Sequence, residues 1–156
     1  MAPHDISQTR VNVRRATAAD APEVATVYIA SRRAAVAYLP TVGTDAEIRA
    51  FVIDRMVPEQ EPWLAETDGR IVAVMVLDSD MVDQLYVSPA IQRRGIGDRL
   101  LTHAKQLRPT GLHLHTFQKN TPARRFYETR GFIAKSFTNG ATNMEHEPDV
   151  LYEWLP

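Results

Sequence analysis

The chain has 156 residues, of which 44% are hydrophobic and 24% charged, and its formal net charge at pH 7 is −1. This is the composition of a folded globular protein, and the balanced charge gives no electrostatic reason to expect nucleic-acid or membrane binding. The absence of cysteine excludes disulfides and cysteine nucleophiles, and the longest apolar run, residues 71–77, is too short to cross a bilayer. Because the N-terminus lacks a signal pattern, we expect a cytoplasmic protein with a polar tail at residues 1–9 and one domain at residues 10–156.

The first elements predicted along the chain are one strand and two helices. Residues 11–13 alternate between apolar and polar, which is typical of a strand. A helix is predicted over residues 17–37 from its start signals and apolar spacing. Thr44 and Glu47 form a capping-box pattern, which predicts a second helix over residues 45–56, followed by a proline-bracketed loop.

Three strands are predicted next, over residues 63–66, 70–77 and 81–87. Asp68 and Gly69 join the first two, and this dipeptide is the strongest hairpin signal in the chain. The middle strand is apolar on both of its faces. It is therefore expected to be central in the sheet and covered on both sides.

A short polar turn with the sequence QRRGIG, residues 92–97, follows the third of these strands. The helix predicted after it carries Leu100, Leu101 and Ala104 on one face. Two glycines let the backbone approach a ligand closely, and a helix N-terminus presents free N–H groups and a partial positive charge. The turn therefore predicts an anion-binding site, to which the two arginines add formal charge.

Two other glycine motifs and an ordinary helix start are the alternatives for this turn. A dinucleotide-binding fingerprint needs G-x-G-x-x-G directly after the strand, but position 100 is leucine and residues 88–94 intervene. A P-loop needs G-x-x-x-x-G-K-[ST], which the chain does not contain. From this motif alone, a helix start in which the glycines only turn the backbone stays open.

The last part of the chain is predicted as strand, helix, strand, loop and strand. A strand at residues 112–116 leads to Thr121, a predicted helix N-cap, with Pro122 at the first helical position. The helix is predicted to end just before Gly131, which suits the position after a helix C-terminus. The two final strands are predicted at residues 132–137 and 150–155.

This order of elements, β-α-α-β-β-β-α-β-α-β-β, predicts an α+β domain with a mixed, mostly antiparallel sheet flanked by about four helices. The order resembles that of the GNAT superfamily of N-acetyltransferases, over residues 11–154. The turn QRRGIG resembles the acyl-CoA-binding motif of that superfamily. The segment LHTFQKNTPARRFYETRGF, residues 114–132, resembles its strand, asparagine and Ala-x-x-Phe-Tyr-x-x-x-Gly-Phe helix. Two motifs in the expected order argue against a chance agreement.

The resemblance implies that acetyl-CoA binds along the strand at residues 81–87 and that no metal is needed. Backbone groups of that strand would bind pantetheine and the thioester carbonyl, where a hydrogen-bond donor stabilises the oxyanion. Asp98 would contribute its backbone N–H rather than its carboxylate, and Asn120 would hydrogen-bond the cofactor. The full set implied for cofactor binding is Leu85, Tyr86, Val87, Gln92, Arg93, Arg94, Gly95, Ile96, Gly97, Asp98, Asn120 and Tyr127.

Tyr127 is the residue that the resemblance implies for acid catalysis, beside the sulfur of coenzyme A. Transfer of a proton from a phenol, pKa about 10, to a thiolate, pKa about 8.5, is uphill by roughly 2 kcal/mol. We therefore expect a hydrogen bond to the developing thiolate. Asp83 is a candidate general base, because it has the strand parity of Leu85 and Val87. Further candidates for the base are Glu66 and Glu145.

The acceptor side is the least determined part of the sequence. The resemblance implies that the N-terminal helices line it, which would bring Tyr28 and Arg32 to the acceptor. His115 belongs to an H-x-H pair with His113, but no third ligand has a motif, so we expect structural histidines or a lining of the acceptor pocket rather than a metal site. Glu145, in an acidic loop, would favour a cationic amine, whereas Arg32 would attract a carboxylate. These cues conflict, and the acceptor stays open.

We therefore predict an N-acetyltransferase that moves an acetyl group from acetyl-CoA to a primary amine of a small molecule or protein, by direct attack in a ternary complex. No residue is placed for a covalent intermediate. Two alternatives stay open, namely a non-catalytic acyl-CoA sensor and an acyltransferase with another donor such as succinyl-CoA. The predicted partner is a small-molecule or peptide amine, with neither nucleic acid nor membrane, and the chain is expected to be a monomer or homodimer.

Overall fold

The computed structural model describes residues 10–40, 43–91 and 94–156. The predicted tail at residues 1–9 and the turn residues Gln92 and Arg93 lie outside the described residues. The strands are β1 (Asn12–Arg15), β2 (Glu61–Thr67), β3 (Arg70–Asp78), β4 (Met81–Val87), β5 (Leu112–Phe117), β6 (Ile133–Phe137) and β7 (Asp149–Trp154). The helices are α1 (Ala21–Ala35), α2 (Asp45–Phe51), α3 (Val57–Glu59), α4 (Ile96–Leu107) and α5 (Thr121–Glu128).

The seven strands form one sheet in the order β1-β2-β3-β4-β5-β7-β6. Neighbouring strands run antiparallel except β4 and β5, which are parallel. Asp68 and Gly69 turn between β2 and β3 with φ values of 51° and 74°, as a two-residue type I′ hairpin requires. The observed element order and the mixed sheet confirm the predicted α+β fold.

Helices cover both faces of this sheet. One apolar core lies under α4 and α5, and its members include Met75, Leu77, Leu100, Leu101, Leu112, Tyr127 and Tyr152. A second core lies under α1 and the α2–α3 segment, and its members include Val24, Tyr28, Val52, Met56, Val74 and Val76. Because β3 contributes to both cores, it is buried at every position between its two ends, as predicted for a central strand.

The second helical segment is longer than the sequence predicts. α2 continues through a π-helical turn, Val52–Met56, into α3, which ends at Glu59. At the end of that turn the N–H of Val57 donates to the carbonyl of Val52, five residues back. Pro58 follows as the second residue of α3, where the wider π-helical turn before it accommodates a residue that donates no backbone hydrogen bond. The prediction of a loop at Pro58 was wrong for this reason.

Candidate active site

The parallel strands β4 and β5 pair only at their beginning. Met81 pairs with His113, whose backbone N–H donates to the carbonyl of Asp80 at 2.9 Å. Within the described part of the chain, residues 82–87 form no ladder pair with β5. The sheet is therefore split from this point towards the C-terminal ends of both strands. The side chains of Leu85 and Val87 pack on the α4 side of the sheet, whereas Tyr86 packs on the α1 side.

α4 begins beside this split without a side-chain cap. Its N-cap residue, Gly95, has a φ of +76°, a left-handed conformation that favours glycine. A Cβ atom on Gly97 would lie 3.3 Å from Cζ of Phe126 and 3.7 Å from Cγ2 of Val87, so this glycine lets the turn lie directly against both side chains. The first intrahelical bond runs from the N–H of Arg99 to the carbonyl of Gly95. The earlier N–H groups lack helical partners, and this end of the helix can hold an anion.

The charged residues at this helix start differ in their surroundings. Arg94 is exposed. The carboxylate of Asp98 accepts a hydrogen bond from Nε of Arg130 at 2.7 Å. Sequence reasoning missed Arg130, because it lies 32 residues further along the chain, after the end of a different helix.

Tyr127 lies on α5 in a cluster of aromatic rings. Its ring centroid is 5.2 Å from that of Phe126, 5.6 Å from that of Phe132 and 6.4 Å from that of Tyr152. Burial raises the pKa of Tyr127, since water no longer solvates a phenolate there. Its side chain is close enough to Tyr86 to contribute to the raised pKa of that tyrosine, of which burial is the main cause. Tyr127 is therefore held as a neutral phenol that can donate a hydrogen bond.

Asn120 caps α5, a role that the sequence assigned to Thr121. Its side-chain oxygen accepts a hydrogen bond from the N–H of Ala123 at 3.2 Å, while Thr121 is the first helical residue. Asparagine is a strong N-cap because its short side chain reaches the free N–H groups of the first turn. The prediction for Thr121 was wrong by one position. Because the side-chain oxygen of Asn120 is engaged in this cap, its predicted hydrogen bond to a cofactor would be donated by Nδ2.

A cavity of about 490 Å³ opens on the α1 side of the sheet, at the same split. It is bounded by Asp83 and Gln84 of β4 and by residues 115–117 of β5, which lie on either side of the gap. The α1 and α2 helices and the β6–β7 loop complete its walls. The residues predicted for the acceptor are brought together here, since Tyr28, Arg32, His115 and Glu145 all line the cavity.

An ion pair crosses this cavity between α1 and the β6–β7 loop. Nη2 of Arg32 lies 2.7 Å from Oε1 of Glu145, and each side chain is 16% exposed. Their charges cancel, which removes the conflict between the two cues in the sequence. Among the described residues, the other charged side chains that line the cavity are Glu47, Asp83 and Asp149. The cavity therefore carries a net negative charge and suits a cationic acceptor.

Asp83 reaches the cavity by a different route from the one that its strand parity predicts. Val76 pairs with Gln84 but Leu77 pairs with Val82, so Asp83 is the extra residue of a β-bulge. The parity argument was wrong, because the bulge turns Asp83 away from the side of Leu85 and Val87. Asp83 is exposed, and its carboxylate accepts a long hydrogen bond, 3.4 Å, from Nε2 of Gln60.

Two further residues singled out in the sequence lie elsewhere. Glu66 accepts a hydrogen bond from Asn12 and pairs with Arg14 at 3.2 Å, beside β1, and does not line the cavity. His113 lies between Asp80, at 3.1 Å, and Glu153, at 2.8 Å. No cluster of three or more metal-ligating side chains occurs in the described ranges.

The split sheet, the open helix start and the adjoining cavity define the acyl-CoA N-acyltransferase class of fold. Among solved structures, the chain is similar to apo YjaB from Escherichia coli, with a TM-score of 0.77 at 22% identity over 93% of this chain and 97% of that one. It is also similar to the PaiA N-acetyltransferase from Thermoplasma acidophilum in complex with coenzyme A, with a TM-score of 0.73 at 15% identity over 94% of this chain and 99% of that one.

The sequence matches narrow this class to a family. Residues 58–134 match the acetyltransferase (GNAT) domain family. The chain is 34% identical over 83 residues to the peptidyl-lysine N-acetyltransferase YiaC of Escherichia coli, covering 53% of this chain and 56% of that protein. It is 38% identical over 88 residues to the peptidyl-lysine N-acetyltransferase YjaB of Salmonella typhimurium, covering 56% and 59%. Residues 58–134 are therefore similar to the GNAT superfamily, and the chain matches little more than half the length of these two relatives.

No helix in the described part of the chain is both long enough and apolar enough to cross a bilayer.

Proposed function

We propose that the protein is an N-acetyltransferase that moves the acetyl group of acetyl-CoA to the side-chain amine of lysine in a peptide or protein. One observation carries this proposal, namely that the acidic cavity and the open start of α4 meet at the same split between β4 and β5. The names of the relatives YiaC and YjaB, both peptidyl-lysine N-acetyltransferases, support lysine as the acceptor.

The donor side is suited to a coenzyme with a pyrophosphate. The N–H groups at the start of α4 and the nearby Arg94 would bind the phosphates, while the backbone of residues 85–87 would bind the pantetheine arm and the carbonyl. Acetyl-CoA supplies the activated acyl group of this reaction.

The acceptor side is suited to a lysine side chain. A lysine amine has a pKa near 10.4, so the acceptor arrives as an ammonium ion and must lose a proton before it attacks. Asp83 lines the cavity, so its carboxylate would hold the ammonium while water takes up the proton. The free amine then forms its C–N bond as the C–S bond breaks, and the departing thiolate takes up the proton that the nitrogen releases. Tyr127 would donate a hydrogen bond to the departing sulfur.

Steady-state kinetics with acetyl-CoA and short lysine peptides, followed by thiol release, test this proposal. Asp83→Asn is expected to raise the KM for the peptide about tenfold, because the ammonium loses a charge-assisted contact, and to leave the Kd for CoA unchanged. Asp78→Asn is the matched control, since Asp78 is exposed at the end of β3 and outside the cavity. It is expected to behave like the wild type.

The alternatives give distinct results in the same assay. Tight CoA binding without thiol release on any lysine peptide would contradict the proposal and favour a non-catalytic acyl-CoA sensor. Faster thiol release from succinyl-CoA than from acetyl-CoA would change the donor and keep the acceptor. An equal effect of Asp83→Asn and Asp78→Asn would remove the assigned role of Asp83.

A further inference from the structure

Asp98 occupies an unfavourable place for a protein that binds phosphate. It is the third residue of α4, whose start has no side-chain cap. A carboxylate in the first turn of a helix is attracted to the free N–H groups there and to the positive end of the helix dipole. If it were free to turn back, the Asp98 side chain would compete with a phosphate for these groups and would repel it.

Arg130 holds this carboxylate in another direction. Nε of Arg130 donates to Oδ1 of Asp98 at 2.7 Å, while Nη1 donates to the carbonyl of Phe126 at 3.0 Å and to Oγ1 of Thr129 at 3.1 Å. The guanidinium carbon lies 3.9 Å from the centroid of the Phe126 ring. Arg130 is therefore fixed by three hydrogen-bond acceptors and one aromatic face.

The residues that hold Arg130 in place also contact α4 near its start. The Phe126 ring lies close to Gly97, and the guanidinium of Arg130 lies over the same ring. Nζ of Lys105, also on α4, donates to the carbonyl of Arg130 at 2.6 Å. These contacts tie the residues after α5 to the first turn of α4, so the position of the Asp98 carboxylate depends on the α5 side of the site.

The stability of the fold does not explain why Asp98 and Arg130 form this ion pair. The Asp98 side chain is 50% exposed and that of Arg130 is 30% exposed, and ion pairs at such a surface contribute little to stability. Its place at an anion-binding helix start gives it a different importance. A cation beside Asp98 cancels a negative charge next to the pyrophosphate, which is itself negatively charged.

We propose that Arg130 is a positioning residue for the coenzyme, which keeps the Asp98 carboxylate off the start of α4 and neutralises it there. The proposal rests on the proposed function, in which this helix start holds the pyrophosphate of acetyl-CoA. Arg130 acts through Asp98 and belongs to neither the acid nor the base of the reaction.

A double-mutant cycle on CoA binding tests the proposal by calorimetry. Arg130→Met keeps an aliphatic stem on Phe126 and removes the charge, and it is expected to raise the Kd for CoA about tenfold at low salt. Asp98→Asn is expected to bind CoA at least as tightly as the wild type. The double variant is expected to return to within about twofold of Asp98→Asn, and the loss in Arg130→Met to shrink with salt as charge interactions are screened.

Two results would overturn the proposal. Wild-type affinity in Arg130→Met would show that the pair is irrelevant to the coenzyme, and a double variant as weak as Arg130→Met would show that Arg130 acts otherwise than through Asp98. Should Arg130→Met fail to fold, Asp98→Asn decides, because the proposal expects it to bind CoA at least as tightly as the wild type and weaker binding would count against the proposal. Failure of the wild type to bind CoA would instead refute the proposed function.

Discussion

The two sides of the split are built in different ways. The donor side is a local structure, because β4, the turn and the first turn of α4 follow one another within residues 81–98. The acceptor side is assembled from α1, α2, two strands and the β6–β7 loop, which lie far apart in the chain. The donor side presents backbone N–H groups and positive charge, whereas the acceptor side presents carboxylates. On the proposed function, the donor would be recognised mainly by backbone, and the acceptor by side chains that meet only in the folded protein.

The β6–β7 loop shows what the acceptor side needs in order to be rigid. Nδ2 of Asn143 donates to the carbonyl of Glu147 at 2.7 Å, and Oδ1 of Asn143 accepts from the N–H of Glu147 at 3.1 Å. Thr138 donates to the carboxylate of Asp149 across the loop base. These bonds hold Glu145 in place to pair with Arg32. A change confined to this loop is therefore expected to affect the acceptor side and to leave the donor side unchanged.

Gly140→Ala is expected to have the largest effect. Gly140 has a φ of +80°, and a Cβ atom there would lie 2.4 Å from the backbone carbonyl of Glu147, so the loop must shift. We expect a loss of at least about 2 kcal/mol in the free energy of unfolding of the loop. The KM for the lysine peptide should rise at least tenfold, roughly the factor that 1.4 kcal/mol represents, with an unchanged Kd for CoA.

Gly69→Ala is the control for this change. Gly69 has a similar φ of +74°, but a Cβ atom there would meet nothing within 4 Å. It isolates the backbone strain of about 1 kcal/mol, and it should leave both substrates unaffected. A rise in the Kd for CoA in Gly140→Ala would contradict the separation of the two sides.

Tyr127→Phe tests the donor side and is expected to have the next largest effect. Losing the hydroxyl should lower kcat about tenfold or more, because the leaving sulfur loses a hydrogen-bond donor, with little change in the KM for acetyl-CoA. Rapid kinetics of thiol release would measure this. An unchanged kcat would remove the assigned role.

Tyr152→Phe is the matched control in the same aromatic cluster. The Tyr152 hydroxyl donates to Oε1 of Glu128 at 2.8 Å and accepts from Nε of Arg124 at 3.0 Å, so it is satisfied within the protein. Its loss should lower the free energy of unfolding by about 1 kcal/mol and leave kcat unchanged. Equal losses of kcat in both variants would indicate that packing, rather than the Tyr127 hydroxyl, matters.

Substitution of His113 is expected to have the smallest effect, and it tests the point at which β5 pairs with β4. A hydrogen bond to Glu153 is the main cause that raises the pKa of His113, and Asp80 adds to it. The folded-state pKa then exceeds the unfolded value near 6.5, so the stabilisation is complete below about pH 6.5 and is lost as the pH rises through the raised value. His113→Gln should therefore lower stability by less than about 1 kcal/mol at pH 6 and hardly at pH 9. Denaturant unfolding at both pH values measures this, and a difference that grows with pH would contradict it.

The donor side could be predicted from the sequence because its signals are local. The hairpin at residues 68–69, the glycines before α4 and the order of elements all follow from short-range backbone preferences. The assignment of roles to these residues stays a prediction. The family resemblance supplied the rest of the donor side, including Tyr127.

The predictions that were wrong or missing have physical causes that residue spacing along the sequence does not show. Asp83 was placed by parity, and one bulge residue in β4 reversed its direction. The loop at Pro58 was predicted from a missing donor that a π-helical turn accommodates. The pairs Arg32–Glu145 and Asp98–Arg130 join residues 113 and 32 positions apart, so no spacing rule indicates them.

The single ladder pair between β4 and β5 also leaves the two parts of the sheet weakly joined. Four strands lie on one side of the split and three on the other, and in the described residues the ladder joins them only at Met81 and His113. Since proteins open locally in contiguous cooperative units, the two halves are natural units of such opening. A ligand whose amide groups lie in the split would join them as a missing rung of the ladder. On the proposed function, acetyl-CoA would therefore be a structural cross-link of the sheet as well as a reactant.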